Sequence, residues 1–307
     1  MLITTLHETT YDYERPVHAS FTEARLAPRC DEHQECLEFS LSVDPDAPIS
    51  SGEDYFGNSV HTWNILAPHR CLVVSGHSVV RTRREPFRAR EPLPEWEVRR
   101  AQADFALFDG PVEDIAEVRE LAQQAGLLER PLSQGQVLGA MRQSQTIFTD
   151  LFAATQELNR LIRERFTFSP TTTSVDTRIS QVFAHGGGVC QDFAHVFIAA
   201  CRVANLPARY VSGYLVTPAS RSAEGASASH AWAEVLLPGG NWVGFDPTNN
   251  LLANNYYVKM AVGRDYRDVS PTYGLYRGQP GRTTLRVRVF TSIEDEPAQS
   301  LQPTLVG

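Results

Sequence analysis

The sequence predicts an α+β protein, with an N-terminal antiparallel β-sandwich followed by a core of helices packed on an antiparallel sheet. Between 3 and 84, apolar residues alternate with polar ones at a period of two, and turn residues punctuate the runs. Helical spacing replaces this alternation at 112–126, at 135–166 and again at 190–204, and strand patterns return at 208–245. The length of 307 residues favours two compact units over one.

The N-terminal domain, assigned to residues 1–90, is predicted from four short β-rich runs. These runs span 2–6, 37–43, 59–65 and 71–80. Proline and aspartate at 44–48 and a Gly-Asn pair at 57–58 supply turns between them. Short strands joined by such turns are typical of an antiparallel sandwich.

Three prolines among charged residues at 85–94 predict an extended connector after the sandwich. We divide the rest of the chain into a connector and helical region at 91–160, a core at 161–266 and a C-terminal segment at 267–307. The C-terminal segment contains one alternating strand, 284–290, for which one destination is the N-terminal sheet.

The composition excludes several classes of partner. A formal net charge of −8 and a pI of about 5.6 argue against nucleic acid, because binding to the phosphate backbone depends on Lys and Arg. No secretory signal and no apolar stretch near the ~18 residues of a membrane-spanning helix are visible, so we expect no membrane partner and a cytoplasmic location. The five scattered cysteines predict free thiols.

Cys190 is the most informative cysteine. Gly186, Gly187 and Gly188 precede it, and an apolar helical pattern follows it. A thiol in the first turn of a helix lies near unpaired amide hydrogens and the positive end of the helix dipole, which favours the thiolate. The alternative is a small structural cysteine, which is the role we expect for Cys201.

His230 and Asp246 complete a candidate nucleophilic site with Cys190. His230 and Trp232 share one face of a predicted strand, and Asp246 ends the next strand. If the loop at 238–240 has an odd length, the imidazole and the carboxylate point the same way and lie within reach of each other. Alone, each residue is typical of an exposed strand or a turn, but together with the thiol they favour a Cys/His/Asp triad.

Two other interpretations of this region fit poorly. His195 lies five positions after Cys190 on the predicted helix and is rotated about 140° away, so it is expected to pack locally. No Cys-x-x-Cys or His-x-x-x-His pair predicts a metal site, and the glycines lack the Gly-Lys-Ser/Thr ending of a phosphate loop. We therefore expect no metal and no cofactor.

Several blocks of the sequence resemble consecutive motifs of the transglutaminase-like superfamily. In the core these blocks are 188–195, 207–214, 229–235 and 242–249. In the first part of the chain, 11–13, 16–17, 23–28 and 54–58 resemble the N-terminal region that accompanies this core in bacteria. The chain is thus similar to bacterial cysteine-protease-like proteins with a papain/transglutaminase-like core.

The resemblance implies a role for each residue of the triad. Cys190 would be the nucleophile, His230 the general base and then acid, and Asp246 the carboxylate that orients the imidazole. The substrate would be a peptide or protein, attacked through a thioester. The sequence has no acidic cluster resembling the calcium sites of animal transglutaminases.

Four further residues are assigned to an oxyanion or substrate pocket: Gln181, Gly188, Trp232 and Tyr214. Gln181, nine positions before the nucleophile, resembles the oxyanion glutamine of papain-like enzymes, with a surface glutamine as the alternative. A block at 261–266 also resembles a family motif, but the sequence assigns it no role.

Three functions stay open at this point. The preferred one is hydrolysis of a peptide or amide bond. The alternatives are a protein cross-linking transglutaminase, which shares the acyl-enzyme, and a non-catalytic module that binds peptides. The oligomeric state is not indicated.

Overall fold

The computed structural model of the chain describes residues 1–84, 93–128, 145–170, 173–216, 229–237 and 241–294. Residues 85–92 of the connector predicted at 85–94, the predicted helix start near 135 and the loop at 238–240 lie outside these residues. The described helices are α1 Glu95–Phe105, α2 Ala116–Gln124, α3 Gln145–Arg165, α4 Ile179–His185, α5 Cys190–Val203 and α6 Tyr266–Val269.

The described strands begin with β1 Leu2–Val17, β2 Ala19–Ala24, β3 Gln34–Asp44, β4 Ser50–Glu53, β5 Ser59–Ile65, β6 His69–Thr82, β7 Thr167–Phe168 and β8 Gly187–Gly188. They continue with β9 Ala208–Leu215, β10 His230–Leu237, β11 Asn241–Asp246, β12 Leu251–Leu252, β13 Tyr257–Gly263, β14 Thr272–Arg277 and β15 Thr283–Glu294. Strands and helices in separate blocks confirm the predicted α+β class.

The N-terminal part is a sandwich of two antiparallel sheets, ordered β15-β1-β6-β3 and β14-β2-β5-β4. The period-two alternation buries Ile3, Val74 and Val80 in one hydrophobic cluster with Trp63 and Ile65 of the other sheet. Tyr214, Val216, Val258 and Met260 of the core region belong to the same cluster. The predicted sandwich is therefore confirmed, and its inner faces are those that the alternation marked.

The C-terminal segment lies in this sandwich. β15 runs antiparallel to β1 over twelve residue pairs, from Leu2↔Glu294 to Tyr13↔Thr283. β14, which the sequence pattern did not indicate, pairs with β2. The two ends of the described chain thus share a sheet, and the core lies between them in sequence.

The core consists of helices packed on a five-stranded antiparallel sheet with the order β12-β11-β10-β9-β13. Helix α5 lies on the face formed by Ala231, Ala233 and Val235. This helix is buried from Gln191 to Arg202, because α2 and α3 cover its other side. Among the described helices, none is both long and apolar enough to cross a bilayer.

The sandwich covers the edge of the core sheet at β13. The Gln34 side chain accepts a hydrogen bond from the backbone amide of Lys259 at 2.8 Å and donates one to the backbone carbonyl of Lys259 at 2.7 Å. Asn58 makes the same pair of bonds with Val262, both at 2.8 Å. These two side-chain amides therefore form hydrogen bonds with backbone N–H and C=O groups of β13 that an open edge strand would leave unpaired.

Buried charges connect the same two parts. The Lys259 ammonium lies 2.6 Å from Glu234 and 2.8 Å from Asp31 of the sandwich, and Arg209 also pairs with Glu234. Burial alone would raise the pKa of Glu234, but Lys259 and Arg209 hold it well below its usual range. Glu234 is therefore ionised and fixed on the strand that carries His230.

Candidate active site

Cys190 is the first residue of α5, and a buried carboxylate holds the backbone in front of it. Asp192 accepts the amide of Val189 at 2.8 Å and the hydroxyl of Thr173 at 2.7 Å. A Cβ at Gly188 would lie 2.5 Å from the Asp192 carboxylate, so only glycine fits there. Gly188 therefore shapes the helix start that presents the thiol.

His230 and Asp246 meet across β10 and β11. The register pairs Ala233 with Phe245, so Asp246 lies diagonally opposite His230, and its Oδ2 is 2.7 Å from His230 Nε2. The Cys190 side chain lies close enough to the imidazole to favour its protonated form. Because Nε2 faces the carboxylate, Nδ1 is the nitrogen left for the thiol.

His230 and Asp246 each favour the charged form of the other. Burial lowers the pKa of His230, but the bond to Asp246 and the nearby Cys190 outweigh burial and raise the pKa to about 10. Burial likewise favours the neutral form of Asp246, yet the hydrogen bond and charge of His230 hold the pKa of that carboxyl below its usual range. The site thus favours an imidazolium beside a carboxylate at neutral pH.

The Asp246 carboxylate is fully buried and accepts five hydrogen bonds. Oδ2 accepts hydrogen bonds from His230 Nε2, the Asn249 side chain and the Tyr257 hydroxyl, each at 2.7 Å. Oδ1 receives the backbone amides of Thr248 and Asn249 at 3.0 and 3.3 Å. These donors fix the orientation of the carboxylate that holds the imidazole.

Sequence reasoning missed the roles of Asn249 and Tyr257. The Asp-Pro-Thr-Asn turn carried a signal for Asn249, since Asn and Asp side chains in turns bond to nearby groups. Tyr257 had no such signal, because β13 was not predicted and because eleven residues separate it from Asp246.

Trp232 does not line an open pocket. It is fully buried, and its ring packs between two strands, against Gly213 on one side and Gly244 on the other. It stacks on His230, with ring centroids 6.3 Å apart, and meets Tyr257 edge-on at 5.3 Å. The structure thus places Trp232 beneath the imidazole, where its ring supports His230.

The structure also places Tyr214 and Gln181 away from the triad contacts. Tyr214 is buried against the sandwich, where its hydroxyl bonds to His7 at 2.9 Å. Gln181 is exposed on α4, and its side-chain oxygen caps that helix by accepting the amide of Arg178 at 3.0 Å. The surface alternative for Gln181 matches this position better than an oxyanion donor does.

His195 packs within the core, as its helical position predicted. It is fully buried against the ring of Tyr210 and accepts the amide of Tyr266 at 3.2 Å, so burial lowers its pKa to about 3. This contact gives the block at 261–266 a structural role. Within the described ranges, no three His, Cys, Asp or Glu side chains are arranged to hold a metal ion.

Comparisons with known proteins identify the family of the chain. Residues 3–81 match the bacterial transglutaminase-like N-terminal region, and residues 140–247 match the transglutaminase-like superfamily. An uncharacterised protein of Mycobacterium tuberculosis is 33% identical over 287 residues, which cover 88% of this chain and 85% of that protein. An uncharacterised protein of Mycobacterium leprae is 32% identical, with 92% of this chain and 96% of that protein covered.

One solved structure shows the same fold along most of the chain. It is the crystal structure of a Cytophaga hutchinsonii protein named provisionally as a cysteine protease, with a TM-score of 0.64 and 21% identity. The match covers 96% of this chain and 92% of that one. Together with the two matched regions and the mycobacterial relatives, it establishes that the chain belongs to the transglutaminase-like superfamily and carries the bacterial N-terminal region of that family.

Proposed function

We propose that the chain is a cysteine-dependent acyl-transfer enzyme that hydrolyses peptide or amide bonds through a thioester. The observation that carries this proposal is the position of His230, which bonds to Asp246 and lies beside Cys190. A nucleophile, a base and an orienting carboxylate in that order are the parts that acyl transfer requires.

The chemistry follows from the placement of the three groups. The Cys190 sulfur attacks the substrate carbonyl, and the protonated His230 gives its Nδ1 proton to the departing amine. Nε2 keeps its proton in the bond to Asp246, so the ring retains one tautomer throughout. The Cys190 amide lies in the first turn of α5, where no intrahelical acceptor exists, and is available to the oxyanion.

In the second half of the reaction, water loses a proton to His230 and attacks the thioester. This step releases the acid, and the Cys190 sulfur leaves as the anion beside the protonated His230, which restores the starting state. An amine in place of water would give a cross-link from the same intermediate. We favour water because the Cytophaga protein that shares this fold over most of its length bears a protease name.

A screen with peptide and glutamine-donor substrates tests the proposal. Mass spectrometry of the products shows whether water or an added amine has entered. We expect turnover with incorporation of water, and we expect Cys190→Ala and His230→Ala each to abolish it while the circular dichroism spectrum is retained. The matched control is Cys71→Ala, which removes a thiol from β6 of the sandwich.

Thiol labelling gives a test that needs no substrate. Alkylation at neutral pH should modify Cys190 faster than Cys71, since Cys190 begins a helix and lies beside the protonated His230. Equal rates for these two cysteines would contradict the activated nucleophile, as would full activity in either alanine variant of the triad.

A further inference from the structure

Two thiols outside the candidate active site lie together at a tight turn of the sandwich. Asp31 and Gln34 form an antiparallel bridge, and Cys30 and Cys36 flank it. The backbone amide of Cys36 donates a hydrogen bond to the Cys30 sulfur at 3.3 Å. The sulfur of Cys36 is only three covalent bonds from that nitrogen, so the pair needs a rotation of the Cys36 side chain, with no large movement of the chain, to approach bonding distance.

The two thiols have different surroundings. Cys30 is exposed to solvent, and its sulfur accepts the amide hydrogen. Cys36 is partly buried, and its S–H donates to the carbonyl of Glu38 at 3.4 Å. Burial and the neighbouring Cys30 raise the pKa of the Cys36 thiol to about 11. The accessible sulfur is thus Cys30, and Cys36 is held behind it.

We propose that Cys30 and Cys36 form a dithiol site that reacts with small-molecule disulfides. Cys30 attacks one sulfur of the disulfide as a thiolate, which forms a mixed disulfide and expels one thiolate of the small molecule. Cys36 then loses its proton to solvent and attacks the Cys30 sulfur, which expels the second thiolate. The two cysteines lose two electrons in all, and the small disulfide gains them as it becomes two thiols.

The turn that this cross-link would close is joined to the core. The Asp31 carboxylate pairs with the Lys259 ammonium, and the Gln34 side chain bonds to both backbone groups of Lys259. Lys259 lies on β13, two residues after Tyr257, which donates to Asp246. The dithiol therefore lies at the part of the sandwich that fixes the strand behind the triad.

The sequence offers a direct test by peptide mapping. Trypsin cleaves after Arg29 and not again until Arg70, so one peptide, 30–70, contains Cys30 and Cys36 and no other cysteine. The reduced full-length protein is incubated with oxidised glutathione, blocked with an alkylating agent and digested. We expect this peptide to carry neither alkyl groups nor glutathione and to be lighter than its reduced form by two hydrogens.

Two variants separate the steps. Cys36→Ser removes the resolving thiol, and we expect a stable glutathione adduct on Cys30. Cys71→Ser is the matched control and should leave the internal cross-link of 30–70 unchanged. The proposal is overturned if the unmodified sequence retains glutathione on Cys30, or if both cysteines of the peptide stay fully alkylated. Catalytic activity does not enter any of these readouts, so the result is independent of the function proposed above.

Discussion

Tyr257 donates its hydroxyl to Asp246 Oδ2 at 2.7 Å, the same oxygen that receives the imidazole of His230. Tyr257 is the first residue of β13, the strand whose edge is held by Gln34 and Asn58 of the sandwich. The N-terminal region is therefore connected to the candidate triad through strand β13 and the hydroxyl of Tyr257.

Replacement of this hydroxyl should weaken catalysis without unfolding the protein. In Tyr257→Phe the ring keeps its contacts with Trp232 and His230, but Asp246 loses one donor. Loss of a hydrogen bond to a charged group predicts a kcat about 10-fold lower, with KM unchanged. Steady-state kinetics measure this effect, and Tyr256→Phe next to it is the control. An unchanged kcat would show that the Tyr257 hydroxyl has no positioning role.

Removal of the Asp246 charge should move the basic limb of the pH–rate profile. With the His230 pKa near 10, the imidazolium and the activity that needs it are lost as the pH rises through about 10. Asp246→Asn should lower kcat by about 10²–10⁴-fold and shift that limb to lower pH. The raised pKa also contributes stability that is complete below pH 6.5 and is lost towards pH 10.

The pH dependence of kcat/KM between pH 6 and pH 11 checks the previous expectation. Asp12→Asn, which removes a carboxylate paired with Arg286 on the surface of the sandwich, is the control. A basic limb that stays at the same pH in Asp246→Asn would mean that Asp246 does not set the pKa of His230.

Gly213 should not tolerate a side chain. It pairs directly with His230 on β10, and a Cβ there would lie 2.1 Å from the carbonyl oxygen of Val258 and 2.6 Å from the Trp232 ring. Gly213→Ala is expected to lower the free energy of unfolding by about 3 kcal/mol, because a backbone oxygen cannot yield as a flexible side chain does. Urea denaturation measures the change.

The matched control for Gly213→Ala is Gly52→Ala in β4. A Cβ at Gly52 meets no atom within 4 Å, so its free energy of unfolding should change by less than about 0.5 kcal/mol. Equal midpoints for the two variants would contradict the close packing of Trp232 against β9.

His195 should make the fold sensitive to acid. Its pKa is about 3 in the folded protein against 6.5 as the ordinary value, so the unfolded chain binds more protons between these limits. Stability is therefore full above pH 6.5 and falls as the pH drops towards 3, by about 2 kcal/mol at pH 5 from this residue.

His195→Gln removes the titrating group but leaves an oxygen that can accept the amide of Tyr266. The variant should be less stable at pH 7, yet lose less stability between pH 7 and pH 5 than the unmodified protein does. Urea denaturation at both pH values measures the slope, and exposed His18→Gln serves as the control. Identical slopes for His195→Gln and the unmodified protein would argue against a neutral buried His195.

Much of the architecture was predictable because it is encoded locally. Period-two alternation marked the inner faces of the sandwich, and a glycine turn before an apolar helix marked Cys190. The strand β13 was missed because Tyr257–Gly263 is buried on both faces and encloses a lysine, so neither alternation nor a plain apolar run identifies it. Lys259 fits there only because Glu234 and Asp31 meet it in the fold.

The candidate site shows the same division. Spacing placed His230 and Asp246 on neighbouring strands, since a short loop fixes the register of an antiparallel pair. The pocket assignments of Gln181, Trp232 and Tyr214 rested on their nearness to the triad in the sequence motifs. The direction of each side chain depends on its tertiary surroundings. Gln181 caps the start of its helix, Trp232 packs between two glycines, and Tyr214 bonds to the sandwich.

The sequence by itself determined the type of chemistry to test, a thiol, an imidazole and a carboxylate on elements whose periodicity can be read along the chain. Only the tertiary structure decided which further groups support them, namely Tyr257 and Asn249 on Asp246 and the sandwich amides on β13. The physical reason is distance along the chain. Gln34 and Lys259 are 225 residues apart, and no local pattern encodes a hydrogen bond that forms only after both parts have folded.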